Sequence, residues 1–405
     1  MRPKIDYITD QFLPTDATDT IQLVTMASAM GAAGAELRLV FPVPSARAEV
    51  PDSAAAIADY YGVHATFEAL PVPGPYPAPF KFRGLEKLFH AVKAARAVRS
   101  KPSVTASAAG APVIYTRNLP VALAALAATD SPIFYETYRP WPRQSRSKKA
   151  LFSALRRSER FAGMILHSEL AASSYREIGY LDERLLVAHN GINPGRFDQL
   201  PEKATLREAL GIATDRTIAL YSGHVSPAKG IGILLDAAAR LPDITFVIVG
   251  STGETDIERR ARTMANVMVV PWQSPGEVER WLLAADMLLI PPTRGPLDTI
   301  GNTVLPIKTF QYLAAGRVIV APDTEDLREV LADGVNAVLV PPDDLAAFVA
   351  RLDAVSRDRE GMSRLALAAR ESGMQNTWER RATRVLDFIS SRVAGSKRVR
   401  GLDAH

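Results

Sequence analysis

The sequence predicts a two-domain α/β protein, each domain built on a doubly wound parallel sheet. Three observations carry this. Short β-rich runs alternate with helix-length segments from one end to the other, the pattern of right-handed βαβ units. Most of the runs are continuously apolar, as parallel strands covered on both faces should be. The series also occurs twice, interrupted by the Gly-, Pro- and Asn-bearing connector NGINPGRFDQLPEKATLREALG at 190–211. At 405 residues the chain is long for one core, so two domains are the natural partition.

In order, the expected strands of the first half are KIDYITD (4–10), ELRLVFP (36–42), HATFEAL (64–70), PVIYTRN (112–118), PIFYETY (132–138), GMILHS (163–168) and RLLVAHN (184–190). Those of the second half are TIALYSG (217–223), ITFVIVG (244–250), NVMVVPW (266–272), MLLIPP (287–292), RVIVAP (317–322) and NAVLVPP (336–342). MSRLALAARES and NTWERRATRVLDFISSRV read as closing helices, with AGSKRVRGLDAH as a frayed tail. The domains are expected at 1–195 and 196–375, followed by a C-terminal helix and basic tail over 376–405.

Composition excludes several classes. The chain has no cysteine, which removes disulfides and thiolate metal sites and favours a reducing compartment. The N-terminal stretch carries charges where a signal peptide needs its apolar core, and no run approaches the ~18 apolar residues of a membrane span. A cytoplasmic protein is expected, either free or peripheral on the inner face of the plasma membrane. The net charge of +4 conceals an asymmetry: residues 81–160 hold 16 Lys/Arg against four acidic residues, whereas residues 1–80 hold four basic and nine acidic. Much of the excess lies in LEKLFHAVKAARAVRSK (85–101) and RSKKALFSALRRSERF (146–161), which place apolar residues at helical spacing. They read either as helices with one solvated basic face or as a surface for anionic lipid headgroups. Nucleic acid is not expected, because few aromatics are interleaved for stacking.

The chemistry concentrates in the second half. In YSGHVSPAKGIGILLDAAARL, Gly223 allows a sharp turn, His224 and Lys229 flank a short loop, and a helix starts near Lys229–Gly230. Free amides and the positive end of the helix dipole there suit an anion, most naturally a diphosphate, though a plain βα turn with a solvent-facing Lys has the same spelling. FVIVGSTGE does not spell the dinucleotide fingerprint, so nicotinamide chemistry is not supported. Trp272, just past a strand end, either stacks on a base or is structural. After MLLIPP comes a long polar loop, then a helix with Pro306 in its first turn and Gly316 just beyond its end. Lys308 and Gln311 share a face of that helix, and a Lys in the first turn opposes the dipole unless a bound phosphate compensates.

Taken together, VAHNGIN, YSGHVSPAKGIGILLDAAARLPDITFVIVGSTGE, VMVVPWQSPGEVERWLLAADMLLIPP, PIKTFQYLAAGRVIVAPDTEDLREVL and DGVNAVLVPPDDLAAFVARL resemble the nucleotide-sugar domain of family 4 retaining glycosyltransferases of group 1 type. The resemblance spans nearly all of 186–352, and the first half matches more loosely as the acceptor half. It implies the GT-B fold, two Rossmann-like domains facing across a cleft. It also implies a nucleoside-diphosphate sugar on the second domain, its diphosphate met by His224 and Lys229 with Gly223 and Gly230. Gln311 stands where the family binds ribose with Glu, and Thr303, beside Asn302, stands where another Glu meets the sugar. Tyr138, with Glu136 nearby, stands where a His contacts the transferred sugar. Lys308 matches a Pro-x-Lys branch of the family. The implied activity is transfer of a sugar to an acceptor hydroxyl with retention, the acceptor a lipid-linked or surface-polysaccharide intermediate. Tyr138, Glu136 and Lys229 are the expected catalytic residues; Trp272 and Lys308 join the donor set. The alternative is a catalytically impaired homologue that binds nucleotide sugar in a sensing or scaffolding role. No acidic cluster suggests a metal, and no cofactor is expected beyond the nucleotide-sugar co-substrate.

Overall fold

The computed structural model describes residues 3–15, 17–43, 53–74, 85–100, 112–253, 255–298 and 304–402. It divides into two units, Met1–His189 with Trp378–His405, and Asn190–Thr377.

The first unit is built on a seven-stranded sheet of β1 (Lys4–Ile8), β2 (Glu36–Val43), β3 (Glu68–Pro73), β4 (Val113–Thr116), β5 (Ile133–Thr137), β6 (Phe161–Leu166) and β7 (Leu185–Val187). Their order is β3-β2-β1-β4-β5-β6-β7, and every pairing is parallel. Successive residues feed opposite faces. Tyr7 and Phe134 enter one apolar cluster, while Ile8, Ile133 and Tyr135 enter the other. Burial on both sides explains why these strands read as unbroken apolar runs. The third strand lies later than its expected 64–70, because β2 pairs with Glu68–Pro73. The residues before it are held from the side, with Ser28 Oγ donating to the His64 carbonyl at 2.8 Å.

The C-terminal helix Trp378–Leu402 departs from the expected domain division. It follows the second unit in sequence but belongs to the first, and it is not a separate appendage. Ala382, Val385, Leu386 and Ile389 are buried in the core cluster that also holds Val24 and Met30 of the helix Thr18–Ala32. Burying Val, Leu or Ile contributes about 1.5–3 kcal/mol each. The close approach needs Gly163 on β6: a Cβ there would stand 2.8 Å from the Phe388 ring. The division between units falls at His189/Asn190, slightly before the expected 195. The second unit's two chain ends are tied together, Ile192 N donating to the Asn376 carbonyl at 2.9 Å.

The second unit holds β8 (Thr217–Ser222), β9 (Ile244–Ser251), β10 (Val267–Pro271), β11 (Met287–Leu289), β12 (Val318–Pro322) and β13 (Val338–Val340). These form a six-stranded parallel sheet in the order β10-β9-β8-β11-β12-β13. In each sheet the strand order reverses at one place, between β1 and β4 and between β8 and β11. Ligands of doubly wound sheets bind at the carboxyl ends of the strands beside such a switch. Among the described residues no helix is long and apolar enough to cross a membrane.

Candidate functional site

In the second unit, the carboxyl end of β8 lies at the switch point, and the chain turns there at Gly223 with φ 138°. A Cβ at Gly223 would stand 2.7 Å from Lys308 Nζ, and one at Gly250 would stand 2.4 Å from the Gly223 carbonyl oxygen. Both strand ends are therefore free of side chains where the backbones and Lys308 converge. The loop continues through a single 3-10 turn, Pro227–Lys229, to Gly230 at φ 72°, which opens the helix Ile231–Arg240. Gly230 also packs on Thr293, whose methyl carbon would lie 2.4 Å from an added Cβ.

The helix Lys308–Ala315 starts two residues after Pro306, which precedes the cap residue Ile307 instead of lying in the first turn as expected; the Lys308 ammonium is not out in solvent. Nζ donates to the Ser222 carbonyl at 2.7 Å and lies 3.9 Å from the centre of the Tyr221 ring. Burial, with the nearby Lys229 charge second, lowers its pKa from 10.5 to about 7. Tyr312, one turn on, accepts from Ser222 N at 2.9 Å and fixes the same strand end. Burial pushes the Tyr312 hydroxyl up to about 12, so it stays protonated. The site thus holds two lysines, Lys229 and Lys308, whose like charges act on one another.

The remaining donor-side residues fall as follows. His224 is exposed, and its carbonyl accepts from Tyr221 OH at 3.1 Å. Trp272 is 54% exposed past the end of β10, so its ring does not serve as core packing, and its amide donates to the Ser251 carbonyl. Gln311 is half-buried, and its side-chain amide makes no hydrogen bond to a described residue. Asn302 and Thr303 lie outside the described residues. Sequence reading missed Asp326, which is 3% exposed and accepts from Leu305 N at 2.7 Å and from Thr324 Oγ1 at 2.7 Å. Leu305 has φ 54°, a conformation unfavourable for a branched side chain, so Asp326 anchors a strained entry to the Lys308 helix. A lone Asp in a loop carries no signal for such a role.

In the first unit, Glu136 on β5 is 3% exposed and its carboxylate is fully engaged. His167 Nε2 lies 2.5 Å from Oε1, Arg381 Nη2 donates to Oε1 at 2.9 Å, Arg117 Nε lies 3.8 Å away, and Tyr115 OH donates to Oε2. Burial opposes the charge, but Arg381, His167 and Arg117 together hold this carboxyl well below the usual range. The expectation that Glu136 faces substrate gives way to a buried role, because its oxygens are spent on these partners. Burial is also the main cause that lowers His167 to about 4, leaving it neutral at neutral pH. Arg381 reaches the cluster from the C-terminal helix, a long-range contact invisible in sequence order. Tyr138, by contrast, is half-buried, its ring 6.2 Å from that of His167 and its hydroxyl accepting from Arg139 Nε at 3.2 Å. At the neighbouring switch point Asn118 Nδ2 donates to Asp10 Oδ1 at 2.6 Å, joining the ends of β1 and β4.

Among the described residues no three His, Cys, Asp or Glu side chains gather in a way that could hold a metal ion.

Comparison with known proteins shows what the chain resembles. Residues 202–372 match the family model described as glycosyl transferases group 1. A D-inositol 3-phosphate glycosyltransferase of Streptomyces bingchenggensis is 26% identical over 251 residues, 58% of this chain and 53% of the relative. The protein of the same name from Xylanimonas cellulosilytica is 29% identical over 222 residues, 51% of each chain. The chain therefore spans about half the length of the curated relatives it matches. Among solved structures, Anabaena HepE in complex with UDP superposes with a TM-score of 0.72 at 17% identity, covering 96% of this chain and 100% of that one. A sucrose-phosphate synthase from Thermosynechococcus elongatus gives 0.74 at 17% identity, covering 97% and 100%. These structural likenesses establish the GT-B fold. The chain is thus a GT-B-fold protein whose residues 202–372 match the model of the group 1 glycosyl transferases.

Proposed function

We propose that the protein transfers a sugar from a nucleoside diphosphate to an acceptor hydroxyl, with retention of anomeric configuration and without a metal ion. The observation that carries this is the pair of lysines, Lys229 and Lys308, beside Gly223 at the switch point of the second sheet. A diphosphate leaving group develops negative charge on its oxygens. Lys308 fixed at the strand end, Lys229 in the loop beside it and the amides at the start of the Ile231–Arg240 helix would stabilise that charge. His224 would add a third donor, Trp272 a face for the base, and Gln311 a partner for a ribose hydroxyl. Tyr138 would face the acceptor side, and Glu136 would hold His167 and Arg381 in place behind it.

HepE was solved with UDP and with UDP-glucose, which favours a uridine donor here. The names of the curated relatives favour a phosphorylated polyol among acceptor classes. A lipid-linked or surface-glycan acceptor is favoured by the helix Leu85–Ser100, which exposes Leu88 and Phe89 beside Lys93, Arg96 and Arg99. Such a face would bring the protein to an anionic membrane surface.

The test is a calorimetric panel of UDP, GDP, ADP and CMP against the wild type and Lys229→Ala. Loss of a charge-assisted contact should weaken the preferred nucleotide roughly tenfold to a hundredfold. Unchanged affinity for both UDP and GDP would overturn the donor site. Turnover that survives EDTA would support the metal-independent reading, and binding without turnover over a broad acceptor panel would favour the sensing role.

A further inference from the structure

The donor site leaves the basic excess of residues 81–160 unused, and its described part contains one arrangement that scattered surface charge does not explain. After β5 the chain runs through Tyr138, Arg139 and Pro140 into the short helix Trp141–Gln144 and then the helix Arg146–Leu155. The Arg139 guanidinium lies 4.9 Å from the centre of the Trp141 ring and 5.3 Å from that of Tyr138. Lys148 Nζ lies 5.2 Å from the same Trp141 ring. The indole is itself fixed, Nε1 donating to Tyr135 OH at 3.3 Å, and Tyr175 OH anchors the Arg139 carbonyl at 3.0 Å.

Two like charges are thus held against one half-buried aromatic ring. Neither forms an ion pair with a described residue. The carboxylates of the helix Glu169–Arg176 and of the residues that follow it have other cations: Glu177 pairs with Arg143, and Glu169 and Asp182 pair with Arg176. Aromatic faces attract each cation without neutralising it: Arg139 Nε donates to Tyr138 OH, but no described residue takes up its remaining N–H groups or the Lys148 ammonium, and the mutual repulsion remains. An anion between them would relieve both. The place is the carboxyl end of β5, next to Tyr138, where a doubly wound sheet presents ligands.

We propose that Arg139 and Lys148, carried on Trp141, bind a phosphate group of the acceptor. This rests on the reading of the first unit as the acceptor half. A soluble sugar or polyol phosphate and a lipid-borne phosphate offer the same chemistry, a tetrahedral oxyanion met by a planar fork and a point charge. Arg139 orients the group, Lys148 adds charge, and the neighbouring Tyr138 then lies beside the part of the acceptor that the phosphate anchors.

The test titrates the full chain with glucose 6-phosphate and with glucose, each with and without saturating UDP, following heat release. A parallel arm uses sedimentation with phosphatidylcholine vesicles containing roughly 30% phosphatidylglycerol. The variants are Arg139→Gln and Lys148→Gln; the second leaves Tyr138 and the Trp141 anchor untouched, so it keeps the test decisive if the first fails to fold. Saturable binding of glucose 6-phosphate but not glucose, weakened about tenfold in each folded variant, supports a soluble phosphate. Vesicle binding alone, lost in the variants, supports a lipid-borne one. Equal binding of glucose and glucose 6-phosphate, or phosphate and vesicle binding that both variants retain in full, overturns the proposal. The donor reading fails separately, if the wild type takes up no nucleotide while these arms behave as stated.

Discussion

Lys308 Nζ lies 3.9 Å from the centre of the Tyr221 ring while donating to the Ser222 carbonyl at 2.7 Å. The ring and the carbonyl hold the ammonium at the strand end, but burial and Lys229 make its charge costly there. Its pKa of about 7 has two consequences of opposite sign. An arriving diphosphate favours the charged form, so nucleotide affinity should fall as pH rises through about 7. In the free protein the unfolded chain binds this proton up to its ordinary 10.5 while the folded chain does not, so stability should rise with pH between about 7 and 10.5. Calorimetry of UDP binding from pH 6 to 9 should show proton uptake in wild type and a flatter profile in Lys308→Met.

Gly223→Ala and Gly250→Ala should separate binding from folding. At Gly223 the new Cβ meets the end of a flexible lysine, Lys308 Nζ, at 2.7 Å, and the residue must also keep φ 138°. The lysine would be pushed from its place, and UDP affinity should drop by about tenfold or more, one lost charge-assisted contact. At Gly250 the Cβ meets the rigid Gly223 carbonyl at 2.4 Å, so the main loss should be stability, read as a lowered urea midpoint.

Asp326→Ala should uncouple the Lys308 helix from its anchor. The Leu305 amide would lose its acceptor inside the protein, a penalty of about 1–3 kcal/mol. Because Leu305 is already held at φ 54°, relaxation there is the easiest release, and it moves the start of the helix. UDP affinity should weaken while Asp326→Asn, which keeps an acceptor oxygen, restores much of it. Equal loss in both variants would point to the carboxylate's charge instead of its geometry.

Glu136→Gln should strike the first unit hard. It leaves Arg381 and Arg117 buried without their counterion, and breaking such a pair costs about 3–5 kcal/mol. Hydrogen exchange should rise in the helix Trp378–Leu402, which Arg381 fastens to this cluster. Acid should act in the same direction. The unfolded chain protonates His167 near its ordinary 6.5, while the folded chain resists until about 4. Stability is therefore lost as pH falls through that window, and Glu136, itself held low, extends the loss below it. His167→Gln should flatten the upper part of the curve in urea titrations.

The thirteen strands found among the described residues, two parallel sheets and the β8–Gly223–Lys229 loop were legible along the chain, with the third strand displaced to Glu68–Pro73, because burial on both faces writes local, unbroken apolar runs and glycines mark the turns. The sequence also singled out Lys308 as a cation that opposes its own helix and so needs a reason. The rest depends on partners that are apart in the chain and meet only on folding. Arg381 lies 245 residues from Glu136, and Asp326 and Leu305 meet across the helix Lys308–Ala315 and β12. Burial converts Glu136 from an expected contact of the substrate into a counterion of the core, since a carboxylate withdrawn from water must be surrounded by cations. The ownership of the helix Trp378–Leu402 was settled the same way, by which apolar surface it could bury and by the missing side chain of Gly163 that lets it come close. Local pattern fixes which residues form strands and turns; the energy of bringing distant charges and apolar faces together fixes what those residues then do.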